Sequence, residues 1–171
     1  MEENYDGLAL VGKIVKIETV VKIKMEEGCE DLFPVKAHEF DAGFDLKAAE
    51  DTTLYLNEVK AISVGFKMAM ENGWEAQIRP RSGLALKHGI IVKNSPGTIC
   101  SLDREIVCVI ISYTGILKFE NEVKNIIEAE SSETYYRHPK FEIKRGDKIA
   151  QMVIKRVPIV RLEKVDSLDI I

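Results

Sequence analysis

A chain of 171 residues is long enough for one domain with a real core and short for two. With 46% hydrophobic and 30% charged residues it has the composition of a soluble globular protein, and no apolar run approaches the ~20 residues that span a bilayer. A net charge of −4 argues against a nucleic-acid backbone as main partner, whereas a local cationic pocket in an acidic protein suits a small anion.

Residues 1–18 carry Leu8, Leu10, Val11, Ile14 and Val15 among glycines and lysines, and read as an N-terminal extension, an extra strand or loose arm. The opening Met1-Glu2-Glu3-Asn4-Tyr5-Asp6 is acidic, so no secretory signal begins there. Residues 19–171 read as a single β domain. Val20–Lys24 is its first β-rich run, and Glu26–Phe40 is polar and turn-like, with Pro34 discouraging helix. Short strand candidates then recur at the spacing of an all-β sandwich or barrel. They are Phe44–Lys47, Thr52–Leu56, Lys60–Val64, Phe66–Ala69, Trp74–Arg79, Ile90–Lys93, Ile106–Ser112, Lys148–Lys155 and Val160–Val165. One stretch breaks the pattern. Phe119, Val123, Ile126 and Ile127 fall on one face of a short amphipathic helix over Lys118–Glu130, inside an insertion at about 117–139 that could also serve as a surface for a protein partner.

Cys29, Cys100 and Cys108 are odd in number and lack metal-ligand spacing, which fits a reducing cytoplasm and no disulfide framework. His38, His88 and His138 are scattered, so neither a zinc site nor a Ser-His-Asp arrangement assembles from local sequence. Phosphate chemistry is the enzymatic candidate that remains. Its locus is Arg79–Ile91, read as an extended segment broken by a Ser-Gly turn and closed by Gly89. Arg79, Arg81 and Lys87 supply charge, Ser82 a hydroxyl, and Gly83 close approach of the backbone to a bulky ligand. In Asn94-Ser95-Pro96-Gly97, Pro96 and Gly97 suit the central positions of a type II turn, with positive φ at Gly97. A hairpin tip of that kind presents backbone N–H and C=O groups outward.

The string Arg79-Pro80-Arg81-Ser82-Gly83-Leu84-Ala85-Leu86-Lys87-His88-Gly89-Ile90 closely resembles the second motif of the dUTP diphosphatase (dUTPase) family. Ala42–Ala49 and Arg145–Val153 resemble that family's first and fourth motifs, and Asn94–Ile99 the start of its third. The resemblance implies a jelly-roll-like fold that forms a homotrimer with active sites at subunit boundaries. It implies a substrate, dUTP, hydrolysed to dUMP and pyrophosphate with Mg2+ carried by the triphosphate. By the same resemblance Arg81, Ser82, Gly83 and Gln151 contact phosphates, while Asn94, Gly97, Thr98 and Ile99 read uracil and exclude ribose. Asp45 orders water around the magnesium, and Asp147 secures its local turn.

The pattern departs from the family after Ile99. Relatives continue Gly-Thr-Ile with Asp-x-x-Tyr-Arg-Gly-Glu, and here the run is Cys100-Ser101-Leu102-Asp103-Arg104-Glu105. Cys100 stands where the water-activating aspartate belongs, Asp103 replaces the tyrosine under deoxyribose, and a glycine is missing between Arg104 and Glu105. A thiol of ordinary pKa, about 8.5, offers little as a base near neutrality. Asp103 lies ~10 Å along a strand and on the opposite face, so it substitutes for the missing base only if the chain rearranges locally. The run ending Asp166-Ser167-Leu168-Asp169-Ile170-Ile171 also lacks the family's glycine-rich closing arm. The expectation is a nucleotide-binding member of the family with impaired turnover. The alternatives are an active hydrolase using Asp103, a regulator or a subunit completed by an intact paralogue, and an interaction protein working through the insertion. A dCTP deaminase, related in fold, is a weaker rival because its catalytic glutamate context is not recognisable after residue 100.

Overall fold

The computed structural model describes residues 19–115, 140–165 and 167. The extension at 1–18 and the helix expected at 118–130 lie outside these residues.

Ten strands and one short helix are described. They are β1 (Lys22–Met25), β2 (Phe44–Lys47), β3 (Thr52–Tyr55), β4 (Val59–Ala69), β5 (Trp74–Arg79), α1 (Ser82–His88), β6 (Ile90–Val92), β7 (Gly97–Cys100), β8 (Ile106–Tyr113), β9 (Lys140–Ile143) and β10 (Lys148–Arg156). A single 3-10 turn, Glu30–Leu32, sits in the polar stretch before β2. One sheet runs β1-β4-β8-β6, a second β2-β10-β5-β7, and β3 pairs with β9 in a two-stranded ribbon. The strand pairings are antiparallel.

Alternation builds the core. In β8, Val107, Val109 and Ile111 are buried while Ile106, Cys108 and Ile110 face out. Ile62, Val64, Phe66 and Met68 of β4 meet Ala76 and Ile78 of β5 and Ile149, Ala150 and Met152 of β10 in one apolar cluster. That cluster joins both large sheets into a jelly-roll-like sandwich, and each fully buried large side chain contributes roughly 1.5–3 kcal/mol.

Four expectations need correction. Lys60–Val64 and Phe66–Ala69 are one strand, β4, kinked at Gly65 (φ 75°), where the pairing with β8 shifts register between Ser63 and Lys67. The bulge absorbs what reads in sequence as a break. Val160–Val165 is not a strand, because no neighbour among the described residues supplies a ladder; Ile159 and Leu162 stand fully or almost fully exposed. The extended Ser-Gly turn at 82–83 is instead the start of α1. Leu84, Ala85, Leu86 and Lys87 are good helix formers, and Gly89 ends the helix in the left-handed conformation (φ 65°) with its N–H returned to Ala85 and Leu84 carbonyls. Finally, the Ser95–Pro96 bond is cis and Gly97 lacks positive φ, so no type II turn forms. Asn94–Pro96 is not a hairpin tip either. It carries the chain from β6 in one sheet to β7 in the other.

Candidate active site

Three neighbouring strands set the site. Asp45 of β2 lies opposite Gln151 of β10, which lies opposite Arg79 of β5. Residues directly across a ladder project on the same face. That face therefore carries a carboxylate, a carboxamide and a guanidinium in one row. Just past Arg79 the chain turns at Pro80, and the Gln151 Nε2–H donates to the Pro80 carbonyl at 2.9 Å. Gln151 thus ties the end of β5, and the start of α1 beyond it, to the middle of β10.

Arg81 is the N-cap of α1 and folds back over the row. Its Nη1 donates to the Lys148 carbonyl at 3.0 Å, and its Nε lies 3.4 Å from Asp45 Oδ1. Lys148 Nζ sits 2.7 Å from Asp45 Oδ2. The Asp45 side chain is 13% exposed, so both carboxylate oxygens face cations in a largely covered position. Arg79 turns aside, and its guanidinium is spent on Gln77 Oε1.

These side chains border a cleft of about 290 Å³, lined by Asp45, Arg81, Ser82, Gly83, Leu84, Lys87, His88 and Gln151. A Cβ added at Gly83 would meet no protein atom within 4 Å, so its backbone opens to a ligand. The first turn of a helix leaves N–H groups without intrahelical acceptors, here those of Ser82 and Gly83. Asp45 is the one carboxylate in the lining. With Arg81 and Lys87 in the lining and Lys148 beside it, the cleft suits a multiply charged anion. Six of the residues singled out in the sequence, Asp45, Arg81, Ser82, Gly83, Lys87 and Gln151, converge there. Asp147 closes the β9–β10 turn, its Oδ2 accepting from the Lys144 N–H at 2.8 Å. Lys148 and His88 were missed. Lys148 leads β10 beside the already noted Asp147, and the strand alternation that places Gln151 offered no reason to look three residues back.

A family model for dUTPase matches residues 32–127. The chain is 42% identical over 137 residues to the deoxyuridine 5'-triphosphate nucleotidohydrolase of Clostridium novyi, covering 80% of this chain and 81% of that protein. It is 37% identical over 155 residues to the enzyme of the same name from Zymomonas mobilis, covering 91% and 90%. The chain belongs to the dUTPase family. Its fold is likewise similar to a solved structure of a mutant dUTPase from phage phi11 of S. aureus, described with a coordinated structural Mg(II) ion. That match has a TM-score of 0.70 at 19% identity, over 86% of this chain and 97% of that one.

The stretch that resembles the start of the third dUTPase motif lies on β7, two strands from β10 in the same sheet. β7 is an edge strand, paired to β5 on one side only, with Gly97 opposite Ile78, Thr98 opposite Gln77, Ile99 opposite Ala76 and Cys100 opposite Glu75. Among the described residues no strand pairs with its outer edge. Gly97 packs on the Asn94 carboxamide, 3.1 Å from Nδ2 to where a Cβ would stand. Counting strands and residues, Cys100 is roughly 15 Å from Gln151.

The expected separation of Asp103 from Cys100 is also corrected. β7 ends in a turn rather than continuing. The Asp103 N–H donates to the Cys100 carbonyl at 3.1 Å, and Asp103 Oδ2 accepts from the Cys100 N–H at 2.8 Å. Asp103 therefore lies beside Cys100 rather than ~10 Å further along a strand. Among the described residues no group of three or more His, Cys, Asp or Glu side chains could hold a metal, and no helix is long and apolar enough to cross a membrane.

Proposed function

We propose that the chain binds dUTP with its magnesium and hydrolyses it to dUMP and pyrophosphate, at a rate held down by the thiol at position 100. The observation that carries this reading is the convergence of Arg81, Ser82, Gly83 and Gln151 with Asp45 on one cleft. The triphosphate lies there, its charge matched by Arg81, Lys87 and Lys148. Uracil is read by the free edge of β7 and the Asn94–Ile99 stretch. Because these two halves are far apart within one chain, the working unit is a homotrimer in which β7 of one copy faces the cleft of the next.

In the reaction a water oxygen bonds to the α-phosphorus, the bond to the α–β bridging oxygen breaks, and pyrophosphate leaves with that electron pair. The water's proton needs an acceptor. Asp45 has both oxygens turned to cations, and Cys100 offers a thiol. Magnesium supplies charge neutralisation along the phosphates when bound. Of this chain's residues, Asp45 would hold it through water. The three free cysteines, Cys29, Cys100 and Cys108, support the cytoplasm as the place of work.

A second reading is favoured by the 2.8 Å bond between Asp103 Oδ2 and the Cys100 N–H. In it Asp103 supplies the base from the turn, and turnover is normal. Titration calorimetry with a non-hydrolysable dUTP analogue and magnesium, beside a pyrophosphate-release assay, tests both. Binding with slow release supports the first reading. Binding with fast release that disappears in Asp103→Asn supports the second. No binding removes both, and would leave the insertion at 117–139 as the surface for a protein partner.

A further inference from the structure

We propose that Gly43 is a positioning residue for the phosphate cleft, required because the Gln151 carboxamide lies across the space its side chain would fill. The proposal rests on the cleft being the phosphate site. A Cβ built at Gly43 would stand 2.8 Å from Gln151 Oε1, 3.2 Å from its Cβ and 3.5 Å from its Cδ. Those three nearest atoms all belong to one side chain, and the first is well inside ordinary contact distance of about 3.5 Å. Gly43 does not have positive φ, so the backbone itself accepts an alanine. What gives way is the far end of Gln151.

That movement has a consequence at the site and little elsewhere. The Gln151 carboxamide has two N–H donors, of which one bonds the Pro80 carbonyl at 2.9 Å. The other remains for an anion in the cleft that Gln151 lines. Swinging Oε1 away from position 43 rotates the whole amide plane, which breaks the Pro80 bond and withdraws the second donor together. Pro80 is the residue before Arg81 and Ser82, so the start of α1 loses its tie to β10. Gly43 therefore acts through Gln151 on the phosphate contacts without touching the nucleotide.

The test compares the natural chain, Gly43→Ala, Gln151→Ala and the double variant. NMR of the Gln151 side-chain amide, assigned by its loss in Gln151→Ala, reads the positioning without any nucleotide. Titration with the non-hydrolysable dUTP analogue and magnesium reads its effect on binding. Gly43→Ala should shift the Gln151 amide resonances and weaken the analogue about tenfold, the loss of one charge-assisted hydrogen bond. In the double variant the alanine at position 43 should cost nothing beyond Gln151→Ala, the mark of two residues acting as one unit. Unchanged Gln151 resonances in Gly43→Ala, or losses that add in full, would overturn the proposal. If Gln151→Ala binds as the natural chain does, the phosphate reading of the cleft fails, and the resonances alone still decide what Gly43 does to Gln151.

Discussion

The Asp103 carboxylate accepts a hydrogen bond from the Cys100 backbone N–H at 2.8 Å, closing a four-residue turn at the end of β7. Asparagine can accept the same bond through its own carbonyl, whereas alanine cannot. Asp103→Ala should therefore lower stability by about 1 kcal/mol, and Asp103→Asn by much less. Urea denaturation of the two variants checks this. Equal losses would mean that charge, not the hydrogen bond, holds the turn.

Lys148 and Arg81 are held on Asp45 until an anion competes for them. Asp45→Asn should tighten binding of pyrophosphate in the absence of magnesium, because both cations are released to the ligand. The same change should remove much of the gain in affinity that magnesium gives to the dUTP analogue. Calorimetry with and without magnesium separates the two effects. A variant that weakens pyrophosphate without metal would contradict this account of the cleft.

Acid stability depends in part on a cluster at the β9–β10 turn. Asp51 Oδ1 accepts from the Arg145 N–H at 2.8 Å and its Oδ2 from Lys144 Nζ at 3.0 Å; the first bond, more than the second, holds the carboxyl below its usual range. A carboxyl lowered on folding contributes stability that is fully present above its unfolded pKa and lost as pH falls through its folded one. Asp51→Asn should thus flatten the acid limb of the stability curve below about pH 4, with little change near neutrality beyond the lost ion pair. An acid limb as steep as in the natural chain would contradict the assignment.

Gly89 is the position least able to accept a side chain. Its φ of 65° is left-handed, and a Cβ there would stand 2.3 Å from the Gly115 carbonyl oxygen, a backbone atom with no easy escape. The Gly89 carbonyl also accepts from the Thr114 N–H and hydroxyl. Gly89→Ala should cost about 1–3 kcal/mol, read by chemical denaturation. A loss below about 0.5 kcal/mol would show that this junction relaxes freely.

Much of this architecture is legible residue by residue. Phe44–Lys47 and Trp74–Arg79 were read with the boundaries they have, since alternation and β-branched or aromatic content agree there. That Arg81, Ser82 and Gly83 line one cleft is legible in their types and order, and Gln151 in the resemblance of Arg145–Val153 to the fourth motif. α1 was illegible by periodicity because none of its residues is buried, so no apolar stripe marks it. Its end was written more plainly, in Lys87 and His88 followed by Gly89. The turn at 94–96 was misread because a hairpin assumes that consecutive strands pair, and β6 and β7 belong to different sheets. Asp103 was misjudged by treating β7 as continuing past Cys100. A carboxylate three residues beyond a strand's end can return to the backbone, which a continuing strand excludes.

The most direct measurement is pyrophosphate release from saturating dUTP and magnesium by the natural chain and by Cys100→Asp, assayed side by side. A positioned carboxylate in place of the thiol should raise turnover by roughly 10² to 10⁴, with the affinity for the non-hydrolysable analogue unchanged. A natural chain that already releases pyrophosphate as fast as Cys100→Asp would contradict the account, and would give the proton to another group.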